Sequence, residues 1–133
     1  MKNIKIKKLE VVFNRKGSIL KILDYKKIKN IKEIYCSSLK FNKIKAWKLH
    51  KKMTCNLVVL FGKIQLVVYS NNGKFSKFTI TGKSNLMISI PPDVWFGMKG
   101  LSKIDSVVMN LSSLMHKKNE MINKKKSFLK YKW

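Results

Sequence analysis

Ile44-Lys45-Ala46-Trp47-Lys48-Leu49-His50, Leu57-Val58-Val59-Leu60-Phe61 and Ile64-Gln65-Leu66-Val67-Val68-Tyr69 are three short runs rich in β-branched and aromatic residues, the last two joined by Gly62-Lys63. Such residues suit a pleated, half-buried surface, and a two-residue turn opening with glycine closes a hairpin. The stretch therefore predicts three consecutive strands. Side chains alternate between the two faces of a strand. Ala46, Lys48 and His50 are expected on one face of the first run, and Lys45, Trp47 and Leu49 on the other. Polar residues two apart on a barrel strand can face the cavity together.

The pattern continues outward. Residues 1–12 alternate in strand fashion and run into Phe13, and Asn14-Arg15-Lys16-Gly17 reads as a turn. Residues 18–23 and 31–36 read as strands, with a turn at 40–42. Downstream, Asn71-Asn72-Gly73 turns the chain into a strand at 75–80, and 82–85 turn it into another at 86–90. Pro91-Pro92-Asp93 ends that strand because proline cannot donate to a ladder. Residues 106–111 read as the last clear strand. Many short strands separated by turn signals predict an all-β sandwich or barrel. From Lys117 the chain is a basic tail with Phe128, Tyr131 and Trp133 set among lysines. It is expected to be a short helix or a frayed end.

A length of 133 residues suits one domain. Cys36 and Cys55 make no disulfide framework and are read as small buried apolar side chains in a reducing compartment. No apolar run reaches the roughly 20 residues that span a bilayer, and no apolar leader follows the N-terminal lysines. The expected location is the cytoplasm, without membrane insertion. Thirty basic residues face six acidic ones, a formal net charge of +24. Part of this reads as compositional bias, since the chain is rich in Lys, Asn, Ile and Phe. A basic surface also attracts nucleic acid, acidic lipid or nucleotide phosphates. The only histidines are His50 and His116, and no glutamate follows Glu33 within the barrel segment, so no metal site is expected. Neither a phosphate-cradling glycine loop nor a Ser/His/Asp arrangement is present.

Three segments carry a family resemblance. They are Ile44 to His50, with Met53-Thr54, Asn56 to Val59 and Gly62-Lys63-Ile64; Ile90-Pro91-Pro92-Asp93-Val94-Trp95-Phe96-Gly97; and Asn110 and His116 with Glu120. In this order they resemble the dTDP-4-dehydrorhamnose 3,5-epimerases, especially their short single-barrel relatives, and the sugar-nucleotide 3,4-ketoisomerases. The resemblance implies an all-β, cupin-type jelly-roll β-barrel at 1–116, a tail at 117–133, and a homodimer binding a dTDP-sugar in its mouth without a cofactor. It implies an isomerase or epimerase acting on a dTDP-4-keto-6-deoxy sugar in surface-polysaccharide synthesis. The chemistry is proton abstraction beside a ketone, which needs a base and a group that stabilises the enolate oxygen.

The resemblance makes His50 and Lys48 the catalytic candidates. Lys48 stands where the epimerases carry their histidine base, and His50 where the ketoisomerases carry the second histidine of a His-x-His pair. Substrate-binding candidates are Lys16 and Lys45 at arginine positions, Asn56 at a lysine position, Asn110 at the tyrosine-acid position, and Trp47, Trp95 and His116. Phe96 takes the place of a histidine. The Trp47-Lys48, His50 and Trp95-Phe96-Gly97 pattern is similar to that of a short subgroup with its own chemistry. Tyr35 and Tyr69 can supply a proton if they point inward. Two other functions are weighed: a catalytically silent sugar-nucleotide-binding cupin, and a nucleic-acid-binding barrel.

Overall fold

The computed structural model describes residues 3–24, 26 and 28–133. Among them the turns divide the chain into strands β1 (Lys5–Lys8), β2 (Glu10–Asn14), β3 (Gly17–Lys21), β4 (Glu33–Leu39), β5 (Ile44–His50), β6 (Cys55–Phe61), β7 (Lys63–Tyr69), β8 (Phe75–Thr81), β9 (Leu86–Ile90), β10 (Trp95–Gly100), β11 (Ser106–Ser112) and β12 (Met121–Asn123). Two five-stranded antiparallel sheets form, in the orders β1-β9-β6-β11-β4 and β12-β5-β10-β7-β8. A separate ribbon pairs β2 with β3. This is the expected cupin-type jelly roll.

The period of two builds the core. Leu57, Val59, Ile88, Ile90 and Val108 from the first sheet meet Ile64, Leu66, Val68, Phe96 and Met98 from the second. Each fully buried side chain of this size stabilises by about 1.5–3 kcal/mol. The outward set of the first sheet, Val58, Met87 and Leu111, is covered in turn by Leu9, Leu20, Ile22, Leu23 and Ile31 from the N-terminal segment.

Four features differ from the sequence expectation. The alternation at 1–12 is divided between β1, which pairs with β9, and β2, which pairs with β3. β10 was not expected as a strand, yet it lies between β5 and β7 at the centre of its sheet. Cys36 is exposed, because it lies on the outer face of β4. Residues 117–133 hold β12, paired with β5, and a 3-10 turn at Lys126–Phe128. Their aromatic rings lie over the outer face of the second sheet.

The β6–β7 hairpin needs its glycine. Gly62 has φ of +78°, and a Cβ there would come within 2.8 Å of the Ser106 Cα. The Ser106 hydroxyl bonds both the N–H and the C=O of Lys63, so the neighbour cannot retreat. Gly62→Ala is expected to cost about 1–3 kcal/mol, read as a melting-temperature loss of several degrees by calorimetry. An unchanged melting temperature would mean that the hairpin yields freely.

Candidate active site

Between β4 and β11 on one side and β5 and β12 on the other lies a cavity of about 310 Å³. Strand alternation supplies its walls. Glu33, Tyr35 and Ser37 come from β4, Lys48 and His50 from β5, Phe96 and Met98 from β10, and Val108 and Asn110 from β11. His116 and Met121 complete its lining. The walls are apolar apart from a few convergent polar groups, the usual make-up of a small-molecule site.

His50 is buried, and its Nδ1 lies 2.6 Å from Glu120 Oε2. An ionised carboxylate only accepts, so Nδ1 carries the hydrogen and Nε2 keeps the free lone pair. The Phe96 ring stacks on the imidazole with centroids 6.2 Å apart. The other Glu120 oxygen, Oε1, accepts from the Lys52 and Met53 N–H groups at 3.0 Å each. Both oxygens are thus engaged, and the ring is held in one orientation. Glu120 lies one residue before β12, whose pairing with β5 brings it under His50.

Burial alone would raise the pKa of Glu120. The hydrogen bond from His50 and the two from backbone N–H groups outweigh it and hold the carboxyl below its ordinary value of 4.5. A carboxyl whose pKa is lowered on folding stabilises the fold above its unfolded value. That contribution is lost as pH falls through the folded one. The urea midpoint is therefore expected to decline as pH drops below about 4.5, and less steeply in Glu120→Gln. Identical slopes would show the pair to be energetically silent.

On the opposite wall Asn110 is buried with both ends of its amide assigned. Its Oδ1 accepts from the Asn56 N–H at 3.1 Å, so its Nδ2 is the end that donates to the Tyr35 oxygen at 2.8 Å. Receiving that bond leaves the Tyr35 hydroxyl proton free for the cavity. Burial is the main cause that raises the Tyr35 pKa, and the Asn110 bond opposes it. Lys48 is half-buried, and its ammonium pKa is lowered first by that burial and then by Lys45. Buried Cys55, beneath the same wall, is pushed up to about 11 by burial and stays a thiol.

The structure brings His50, Lys48, Asn110 and His116 to one cavity. It does not bring the other candidates there. Lys16 sits in the β2–β3 turn, where its N–H caps Asn14 Oδ1. Lys45 spends its ammonium on the Ser38 carbonyl at 2.6 Å, clasping β5 to β4. Asn56 faces outward and bonds Ser89 and the Leu111 carbonyl, because its neighbours Cys55 and Leu57 take the inward positions. Trp47 is fully buried on the outer face, and its indole N–H donates to the Lys126 carbonyl. Trp95 packs on Phe128. Tyr69 packs on Phe75, away from the cavity.

Ala46 also departs from the expected phase. The ladder steps from Lys45↔Met98 to Lys48↔Phe96, so Ala46 and Trp47 together oppose Gly97 in a β-bulge. A Cβ on Gly97 would strike Ala46 and Trp133, which places Ala46 on the outer face. The bulge leaves Lys48 and His50 facing inward.

The sequence offers Tyr35 as a proton donor only on condition that it points inward, and it marks Glu120 beside His116 without giving it a role. Glu120 is 70 residues from His50, and only the β12–β5 pairing makes them neighbours. Tyr35 shares its strand face with Glu33 and Ser37, an alternation that was the one available signal. Among the described residues no three of His, Cys, Asp and Glu gather as a metal-binding set.

A family model described as FdtA: WxcM-like, C-terminal matches residues 2–133. No curated protein matches the chain. Several solved structures share the fold. A dTDP sugar isomerase from Desulfovibrio desulfuricans G20 is 24% identical with a TM-score of 0.88, over 98% of this chain and 90% of that one. The dTDP-4-dehydrorhamnose 3,5-epimerase from Sulfolobus tokodaii is 18% identical with a TM-score of 0.82, over 96% and 80%. QdtA, a sugar 3,4-ketoisomerase from Thermoanaerobacterium thermosaccharolyticum in complex with TDP, is 19% identical with a TM-score of 0.80, over 92% and 88%.

Proposed function

We propose that this chain, which belongs to the FdtA family (WxcM-like, C-terminal), isomerises or epimerises a dTDP-linked 4-keto-6-deoxy sugar. The observation that carries the reading is the buried His50, tethered at Nδ1 and open at Nε2, in a cavity shared with Lys48 and Tyr35. Two of the ketoisomerase structures that share this fold hold TDP and, in a mutant, TDP-4-keto-6-deoxyglucose.

In this reading Nε2 of His50 removes the proton from the carbon beside the ketone. The C–H electron pair moves to form the enolate, and the proton stays on the imidazole. Glu120 stabilises the resulting imidazolium without taking the proton itself. The Lys48 ammonium faces the developing enolate oxygen, where a cation in a low-dielectric pocket acts strongly. The Tyr35 hydroxyl delivers a proton from the β4 wall. For the ketoisomer the enolate oxygen takes one proton to give an enediol, the hydroxyl on the carbon first deprotonated then loses its proton, and the former ketone carbon gains one; for the epimer the proton returns to the opposite face of the same carbon. Asn110 positions Tyr35, and His116 meets the sugar nucleotide. The setting we propose is a cytoplasmic homodimer that supplies a precursor for a surface polysaccharide.

The test is NMR of a dTDP-4-keto-6-deoxyglucose-type substrate in D2O. Deuterium entering at C3 or C5, or at C4 in a ketoisomer, and lost in Tyr35→Phe or Lys48→Gln, supports the enzyme and identifies the carbon. Saturable binding without exchange would replace it by a silent sugar-nucleotide-binding cupin. That second reading draws on Lys16, Lys45 and Asn56, which stand at family binding positions but lie outside the cavity.

A further inference from the structure

The end of the barrel away from the cavity mouth is formed by four turns, at residues 39–43, 61–63, 81–85 and 100–106. Backbone bonds tie them into one plate: Asn42 N–H to the Gly100 carbonyl, Leu101 N–H to the Lys63 carbonyl, and Gly82 N–H to the Gly62 carbonyl. The plate carries large apolar side chains that the fold does not use. Phe61 is 63% exposed, Ile104 61% and Phe41 43%. Around them Lys40, Lys43, Lys63, Lys83 and Lys103 are all exposed, against a single acid, Asp105.

We propose that this end docks on an anionic lipid bilayer, with Phe61, Ile104 and Phe41 entering the headgroup boundary and the lysines meeting lipid phosphates. Apolar tips ringed by lysines match the layered chemistry of such a surface, hydrocarbon beneath negative charge. A nucleic acid offers phosphates to the lysines but no apolar partner for Ile104, and its bases stack on aromatic platforms along a strand face. An acidic protein lacks the continuous apolar layer. The geometry has a further consequence. The cavity lies at the opposite end, so docking leaves its mouth facing the aqueous phase and open to a soluble sugar nucleotide.

The test is co-sedimentation of the full chain with vesicles of phosphatidylcholine alone and of phosphatidylcholine with about one-third phosphatidylglycerol. Binding is expected only to the anionic vesicles. Lys40→Glu/Lys63→Glu/Lys103→Glu should weaken it by at least about 100-fold. Lys74→Glu/Lys77→Glu/Lys118→Glu, which removes the same charge elsewhere, should weaken it less than about 10-fold. Phe61→Ser/Ile104→Ser should abolish the binding that survives in high salt. All these side chains are exposed, and thermal melts would verify that each variant folds. Equal losses from the two lysine sets would reduce the effect to bulk charge and overturn the proposal. So would full binding by the Phe61→Ser/Ile104→Ser variant, or absence of vesicle binding with retention of single-stranded RNA by the same plate. The deuterium exchange described above is independent of every one of these outcomes.

Discussion

His50→Asn is expected to exchange substrate deuterium about 1000-fold more slowly than the unaltered protein, with a melting temperature within a few degrees of it. The asparagine Nδ2 stands two bonds from Cβ, as the imidazole Nδ1 does, so the buried carboxylate keeps a donor and the fold keeps its contact. It offers no nitrogen lone pair that takes a proton near neutral pH. Positioned general bases contribute about 10²–10⁴-fold, and the tethered, stacked ring belongs in the upper part of that range. The readout is initial-rate NMR in D2O at saturating substrate, with binding measured separately by calorimetry. A variant that binds normally and exchanges slowly assigns the proton transfer to His50. Undiminished exchange would move the base to Lys48, whose burial already disfavours the charged ammonium.

Trp47→Ala carries the largest expected loss of stability. The ring is fully buried and meets Phe75, Tyr131 and Trp133 with centroids 6.0, 6.3 and 5.2 Å away. Its indole N–H bonds the Lys126 carbonyl, and its backbone exchanges two hydrogen bonds with Lys124. Emptying a buried tryptophan site costs about 3–5 kcal/mol, out of about 5–15 kcal/mol for a typical domain. A drop in melting temperature of roughly 10–20 °C is expected. Because Lys124 follows directly on β12, the loosened segment also releases Glu120. Faster trypsin cleavage at 124–126 and slower turnover should therefore accompany the thermal loss. Trp47→Phe, which keeps most of the ring and loses only the N–H bond, should recover more than half of the stability. Thermal loss without faster cleavage would show that the tail is held independently of Trp47.

The central hairpin was legible because local and long-range signals agree there. β-Branched runs on both sides of Gly62-Lys63 leave no other structure open to residues 57–69. β10 was obscured for the opposite reason. Gly97 and Gly100 break its apolar run, yet both are small because Trp133 and the Lys40 carbonyl occupy the space above them. A glycine chosen for a tertiary neighbour reads locally as a turn. The same holds for the bulge: strict alternation misplaced Ala46, while Lys48 and His50, beyond the extra residue, face inward as expected. His50 stood out as one of two histidines, but its partner Glu120 gave no local sign of its role. Of the lysines set at arginine positions by resemblance, Lys45 keeps the charge but gives its ammonium to the Ser38 carbonyl.

The short strand β12 matters beyond the residues it positions. Without it, the free rim of β5 would present open N–H and C=O groups along a run containing Ile44, Trp47 and Leu49. Such a rim is a template for strand addition by another molecule, the step that begins sheet-to-sheet aggregation. Three residues of β12 and the Trp47–Lys124 exchange occupy those groups within the chain. The lysines that follow set repulsive charge beside the covered rim. The last seventeen residues thus also protect colloidal solubility, and a barrel expressed without them would be expected to associate through β5 before it lost its core.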